Sequence, residues 1–330
     1  MRTGRRLRAG AHEARIVGRP MPRPHRIANA LVVIAAGSAA AYLFTRGAWL
    51  PGARASAWGF LALMSGPLIC WTLLLRWPHL TPVRLIEAFW MVPTLPIAHG
   101  LMGPLVDATG SRLWDGRLAR LDLELFGAHP AVELGLRSSV WLNELAMLSY
   151  YTYFLWPLVL GIVLYARRRH AEFGQYSVGL VLFFLLNFVG YALVPAIGPR
   201  FAMASMFDGP IQGVWITPLL EGAMRLPPFM RDCFPSGHTG GTLVVLIFAF
   251  LFERRVFAVM LLPATTLILA TLLGRFHYAV DLVAALPLVL VAVGVPRLLV
   301  RLDPARRVRR VRPRRLPAPE PLRGRTPQPA

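Results

Sequence analysis

The stretch YSVGLVLFFLLNFVGYALVPA, Tyr176 to Ala196, carries no Asp, Glu, Arg, Lys or His. A hydrocarbon core about 30 Å thick is crossed by about 20 residues of helix, so the stretch has the length of one span. In lipid, only helices and closed barrels satisfy their own backbone polar groups, and continuous apolarity without period-two alternation selects the helix. Working outward, comparable runs extend over Ile27 to Phe44, Ala57 to Leu75, Ala88 to Val106, Leu145 to Ala166, His238 to Phe252, Val256 to Leu273 and Leu282 to Val300. The expected fold is all-α: a polytopic membrane helix bundle with about eight transmembrane helices. The run over Ala88 to Val106 is the weakest, because Pro93, Pro96, Gly100, Gly103 and Pro104 interrupt it. Prolines at that density also suit a re-entrant or interfacial segment.

Composition agrees, with 55% hydrophobic and 16% charged residues against about a quarter charged in an ordinary soluble domain. All 36 basic residues are Arg, giving a formal charge of +20. They gather at the two ends and in short loops, without the aromatic interleaving of a strand-binding groove, so nucleic acid is not the expected partner. Topology and anionic lipid account for them better. The basic N-terminus, Arg76 with Arg84, Arg167 to Arg169, Arg254 with Arg255, and the tail from Arg301 all fall on one side of an eight-span chain. By the positive-inside rule that side is cytoplasmic. Asp107 to Asn143, Ile197 to Ser236 and Gly274 to Tyr278 are then extracytoplasmic.

Four regions follow: a basic cytoplasmic N-terminus over 1–26, leading into an uncleaved first span; N-terminal spans with an interfacial amphipathic segment over 27–137; a catalytic membrane domain over 138–302; and a disordered Arg- and Pro-rich cytoplasmic tail over 303–330. In Ser111 to Leu136, Leu113, Leu118, Leu121 and Leu125 recur at helical spacing. A helix lying on the bilayer surface is the economical reading. Cys70 and Cys233 are too few for a disulfide framework, and they are not expected to bridge.

Three stretches concentrate chemistry at the predicted outer face. In Cys233-Phe234-Pro235-Ser236-Gly237-His238-Thr239, Ser236 suits a helix N-cap and Gly237 lets a ligand approach the backbone. The free N–H groups and helix dipole there suit an anion, with His238 beside it. Taken alone, this is equally an ordinary capped helix start. In Gly274-Arg275-Phe276-His277-Tyr278-Ala279-Val280-Asp281, His277 and Asp281 are four apart and share a helix face. The carboxylate can fix the imidazole tautomer and leave the other nitrogen as nucleophile or base. A satisfied structural pair is the commoner meaning of that spacing. Arg200, in Pro199-Arg200 at the end of the Tyr176 to Ala196 span, can hold phosphate oxygens bidentately or snorkel to head groups. The three together point to one phosphate-handling site. His99, in the broken third run, and Tyr150, Tyr151 and Tyr153 are weaker candidates, each equally suited to packing.

Pro235-Ser236-Gly237-His238, followed by His277 and Asp281, resembles the type 2 phosphatidic acid phosphatase superfamily over roughly Tyr150 to Val300. Pro199-Arg200, the absence of Lys, His277-Tyr278-x-x-Asp281, and Asp115 to Pro130 with Leu121-Asp122 and Leu125-Phe126-Gly127 are similar to its branch of inositol phosphorylceramide synthases and bacterial relatives. The resemblance implies a six-helix phosphatase-like core. It also implies His277 as the nucleophile forming a phosphohistidine, Asp281 as its orienting partner and His238 as general acid. Arg200, Ser236 and Gly237 would hold the phosphoryl oxygens. Two departures stand out: Pro199 precedes Arg200 where the wider superfamily has Lys and Arg ahead of a Pro, and Ala270-Thr271 replaces a Ser-Arg pair. Arg275 is the candidate substitute for the missing charge.

No cofactor is expected. A metal site of His238, His277 and Asp281 is possible by ligand type, but no third His or paired carboxylate supports it. The expected activity is a lipid phosphotransferase or phosphatase acting on a lipid in the outer leaflet of the plasma membrane, with an inositol-phosphate-like head group and a lipid or polyol hydroxyl as acceptor. The alternatives are a plain lipid phosphate phosphatase with water as acceptor, and a non-catalytic phospholipid-binding or transport protein. The acceptor and the oligomeric state are open at this point.

Overall fold

The computed structural model describes residues 23–223 and 231–302; the expectations for residues 1–22 and for the tail from 303 onward lie outside the described residues. These are helical throughout, without a strand. In chain order the helices are α1 (Arg23–Thr45), α2 (Ala53–Arg76), α3 (Thr81–Phe89), α4 (Met91–Gly100), α5 (Met102–Asp107), α6 (Asp115–Phe126), α7 (Pro130–Arg137) and α8 (Val140–Tyr151). After a 3₁₀ turn over Thr152–Phe154 come α9 (Leu155–Ala166), α10 (His170–Leu193), α11 (Pro199–Ala202), α12 (Ile216–Ala223), α13 (Gly237–Phe252), α14 (Arg254–Leu273) and α15 (Ala279–Leu302).

Among the described residues, six stretches are long and apolar enough to cross a membrane: Pro24–Thr45, Ala53–Arg76, Val140–Ala166, His170–Leu193, Arg254–Leu273 and Ala279–Leu302. The chain is a multi-pass membrane protein. The third of these joins α8 to α9 through the 3₁₀ turn just before Pro157, whose ring nitrogen has no proton to donate to the preceding turn. It starts earlier than its apolar run because Ser139 caps it, its Oγ accepting the Leu142 N–H. The helix α13 is shorter, 16 residues, or about 24 Å at the usual rise.

The third apolar run is not one helix but the short pieces α3, α4 and α5, broken as its prolines and glycines require. It nevertheless runs the length of α1. Nε2 of His25, near the start of α1, donates to the Glu87 carbonyl (3.1 Å), and Tyr42 near its end donates to the Ala108 carbonyl (3.2 Å). The segment thus passes from one end of the bundle to the other in pieces.

α10 is the central helix, packed against α1, α13 and α15. Its Tyr176 and Phe183 are fully buried beside Phe248 of α13. In lipid such packing rests on van der Waals fit rather than on water expulsion. At one end of the bundle, Glu253 accepts from Arg167 (2.6 Å) and Arg169 (3.0 Å), tying the α9–α10 turn to the α13–α14 turn. The loops after α10 and α14 meet at the other end, where all three chemical stretches converge.

Candidate active site

Ser236 caps α13: its Oγ accepts the Thr239 N–H at 3.2 Å. The side chain is fully buried, so this hydroxyl serves the helix start and does not line the cavity. The Ser236 N–H donates to the Asp281 carbonyl (3.1 Å), joining the two histidine-bearing stretches backbone to backbone. From α10, Asn187 donates to the Pro235 carbonyl (2.8 Å). Gly237 must be glycine, since a Cβ there would lie 2.6 Å from the Tyr191 hydroxyl. His238 then stands between two aromatic rings, stacked on Tyr150 with centroids 4.4 Å apart and tilted against Tyr153 at 4.3 Å. The Tyr153 hydroxyl donates to the Gly237 carbonyl (3.0 Å), which fixes that wall.

His277 lies just before α15, not on the helix itself, and Asp281 reaches back from the first turn. Asp281 Oδ2 is 3.3 Å from His277 Nδ1 and accepts the Tyr278 N–H (2.8 Å) and the Cys233 thiol (2.9 Å). Asp281 is fully buried, and its Oδ1 has no hydrogen-bond partner among the described residues. The His238 and His277 rings face each other with centroids 6.2 Å apart. One phosphorus atom between them is within reach of both.

Arg200 follows Gly198, whose φ of 85° suits glycine and whose Cβ position is blocked 2.5 Å away by the Phe276 carbonyl. Its own N–H donates to the Arg275 carbonyl (2.8 Å). The guanidinium pairs with Glu221 (2.5 Å) and lies 5.5 Å from the Phe276 ring, while Nη1 is buried without a hydrogen-bond partner among the described residues. That leaves a cationic donor for an anion in the cavity. Arg275 goes elsewhere: it donates to the Gly209 carbonyl (2.6 Å), stacks 4.0 Å over Phe207 and does not line the cavity. The structure therefore joins His238, His277, Asp281, Gly237 and Arg200, and leaves Ser236 and Arg275 in supporting positions.

Several residues that complete the site were not singled out by sequence. On α6, Arg117, Arg120 and Glu124 face outward, but two acidic residues turn inward. Leu113, Leu121 and Leu125 are exposed, whereas Asp115, Leu118 and Asp122 are buried. Asp122 accepts the N–H groups of Ala279 (3.0 Å) and Val280 (2.8 Å), a carboxylate cap on α15. Burial raises its pKa, and those hydrogen bonds oppose the rise. Asp115 accepts from the Gly198 N–H (2.9 Å) and the Tyr278 hydroxyl (3.0 Å). Glu144 collects the N–H groups of Val214, Ile216 and Thr217 at the start of α12. The seven-residue spacing of Asp115 and Asp122, two turns on one face, was the available signal.

Cys233 had no such signal. Burial, then the Asp281 charge, holds its thiol well above the usual range, so it stays protonated and donates. Cys70 and Cys233 are both free, as expected. Among the described residues, the set that could offer a metal ion ligand atoms within 4.8 Å of one another is Cys233, His277 and Asp281, not the set containing His238. Those atoms already engage one another in hydrogen bonds.

Arg200, His238 and His277 open onto a cavity of about 550 Å³, within the usual range for ligand pockets. From Arg200, His238 and His277 it runs past Tyr150 and Tyr153 to Leu95, Leu158 and Phe89, an apolar channel between α4, α9 and α10. The broken third segment supplies one wall. On the same cavity, His99 of α4 meets Asp232 (Nε2 to Oδ2, 2.9 Å).

A family model described as the PAP2 superfamily matches residues 116–295, more than half of the 330. The match spans α6 to most of α15 and contains Asp122, Arg200, Cys233, Ser236, Gly237, His238, Arg275, His277 and Asp281, while Phe89, Leu95, His99 and Asp115 lie outside it. Comparison with curated proteins and with solved structures gives no match.

Proposed function

Because the chain belongs to the PAP2 superfamily, we propose that it cleaves a lipid phosphate ester through a phosphohistidine on His277 and passes the phosphoryl group to a hydroxyl acceptor. The observation that carries this reading is the meeting of two imidazoles, 6.2 Å apart, with one held at 3.3 Å by a buried carboxylate. His277 Nε2 attacks phosphorus while the bond to the leaving oxygen breaks, and His238 gives that oxygen its proton. Asp281 stabilises the imidazolium that develops at Nδ1, and Arg200 offsets charge on the equatorial oxygens. The acceptor oxygen then attacks phosphorus, the P–N bond breaks, and His238 takes the acceptor's proton.

The apolar channel beside these groups supports a lipid as substrate. The positive-inside pattern supports cytoplasmic termini and a site opening on the outer face of the plasma membrane. Resemblance to the inositol phosphorylceramide synthase branch favours transfer over hydrolysis, with an inositol-phosphate-like group among the candidates; plain lipid phosphate hydrolysis is the alternative. The test is to incubate purified protein with phospholipids labelled in the phosphate and to follow the label with and without an added alcohol. Acid-labile label on the wild-type chain, absent from His277→Ala, supports the reading. Substrate turnover without any covalent label sinks the phosphohistidine.

A further inference from the structure

The cavity holds a second histidine–carboxylate pair that the scheme above does not use. His99, on the fragmented third segment, meets Asp232 at 2.9 Å, and their side chains stay 32% and 37% exposed. Both line the catalytic cavity, so their exposure is toward a space where substrate enters. His99 is braced by the rings of Tyr191 (6.1 Å) and Phe188 (6.3 Å). Asp232 immediately precedes Cys233, whose sulfur is 3.7 Å from His277 Nδ1, and adjacent Cα atoms are about 3.8 Å apart. Asp232 and His277 thus come from neighbouring loop segments and line the same cavity.

A carboxylate at that place disfavours a second phosphate and favours a hydrogen-bond donor, while Arg200 with its buried, unpartnered Nη1 offers the anion-binding pole. The contact of Asp232 with His99 engages Oδ2 and fixes the orientation of the carboxylate. We propose that Asp232, oriented by His99, is an acceptor subsite that binds a hydroxyl of a polyol and so directs the phosphoryl group to a polyol head group in preference to water. This rests on the phosphohistidine reading and specifies its second half. One hydroxyl oxygen of the polyol attacks phosphorus, the P–Nε2 bond to His277 breaks, and the proton of that hydroxyl passes to His238. A second hydroxyl donates to Asp232 throughout and only orients the acceptor.

The experiment uses full-length protein in detergent micelles, nitrophenyl phosphate as donor, and glycerol, myo-inositol or ethanolamine as competing acceptor. The readout is the ratio of phosphorylated acceptor to inorganic phosphate, which is independent of the amount of active enzyme. A hydrogen bond to a charged group contributes about 1.5–3 kcal/mol, so Asp232→Asn should lower the polyol ratio by about tenfold or more. His99→Gln should lower it less. An unchanged ratio in Asp232→Asn, with or without a fall in total rate, means the pair only ties the loop to α4 and overturns the proposal. Hydrolysis alone in the wild type, or a preference for ethanolamine over both polyols, overturns it too. Nitrophenol release without any covalent phosphoenzyme is the separate signature that the underlying reading has failed, and the subsite fails with it.

Discussion

Cys233 donates its thiol proton to the same Asp281 oxygen that lies 3.3 Å from His277 Nδ1, at 2.9 Å. The sulfur thus serves the carboxylate that, in the proposed scheme, orients the nucleophile. Cys233→Ser keeps a donor, while Cys233→Ala strips one from a buried charge. The alanine variant should lose about tenfold or more in turnover, with the serine variant close to wild type. Alkylation by maleimide checks the protonation state: Cys233 should react only after unfolding, because it is buried with its pKa held up by burial and by Asp281.

In the proposed scheme the two histidines divide the reaction. His277→Ala should abolish both turnover and covalent label for every substrate. His238 acts on the leaving group, so His238→Ala should lose about 10²–10⁴ on a lipid phosphate and regain part of it on nitrophenyl phosphate, whose leaving group needs no proton. Asp281→Asn should lower the rate strongly while the protein remains folded. Rescue of His277→Ala instead of His238→Ala would exchange the roles.

The two arginines named from sequence should separate clearly. Arg200 lines the cavity, whereas Arg275 does not and turns its guanidinium to the Gly209 carbonyl and the Phe207 ring. Arg200→Ala should cost about tenfold or more in kcat/KM, and Arg275→Ala clearly less. Equal losses in steady-state kinetics would return Arg275 to the phosphate site.

Asp122 is a structural cap with a catalytic consequence. Asp122→Ala leaves the Ala279 and Val280 N–H groups buried without acceptors, at about 1–3 kcal/mol each. A lowered thermal midpoint in detergent is expected, together with lost activity, because the same turn carries His277 and Asp281. An unchanged midpoint would mean that water replaces the carboxylate.

The channel should grade substrates by chain length. Leu158→Trp adds volume to its apolar wall, so the ratio of long-chain to short-chain turnover should fall in that variant. A constant ratio would place the chain outside this cavity.

Sequence by itself determined the solvent of this protein and named the candidates for its reactive groups. Runs such as Tyr176 to Ala196 are long enough and apolar enough that lipid is their only suitable surrounding. The spacing of His277 and Asp281 is a local matter that four residues settle. Even the fragmentation of the third run was legible in Pro93, Pro96 and Pro104, since proline acts on its own turn. Tertiary structure decided what depends on distant segments meeting. Only the packing of α10 against α13 and α15 brings His238 to His277, and only the docking of α6 turns Asp115 and Asp122 inward to the loops they cap. The partnership of Cys233 with Asp281, the pairing of His99 with Asp232 and the diversion of Arg275 to Gly209 join residues 48, 133 and 66 positions apart. No periodicity or local propensity encodes such contacts. A side chain's role there is set by which backbone donors and cavity walls the fold delivers to it.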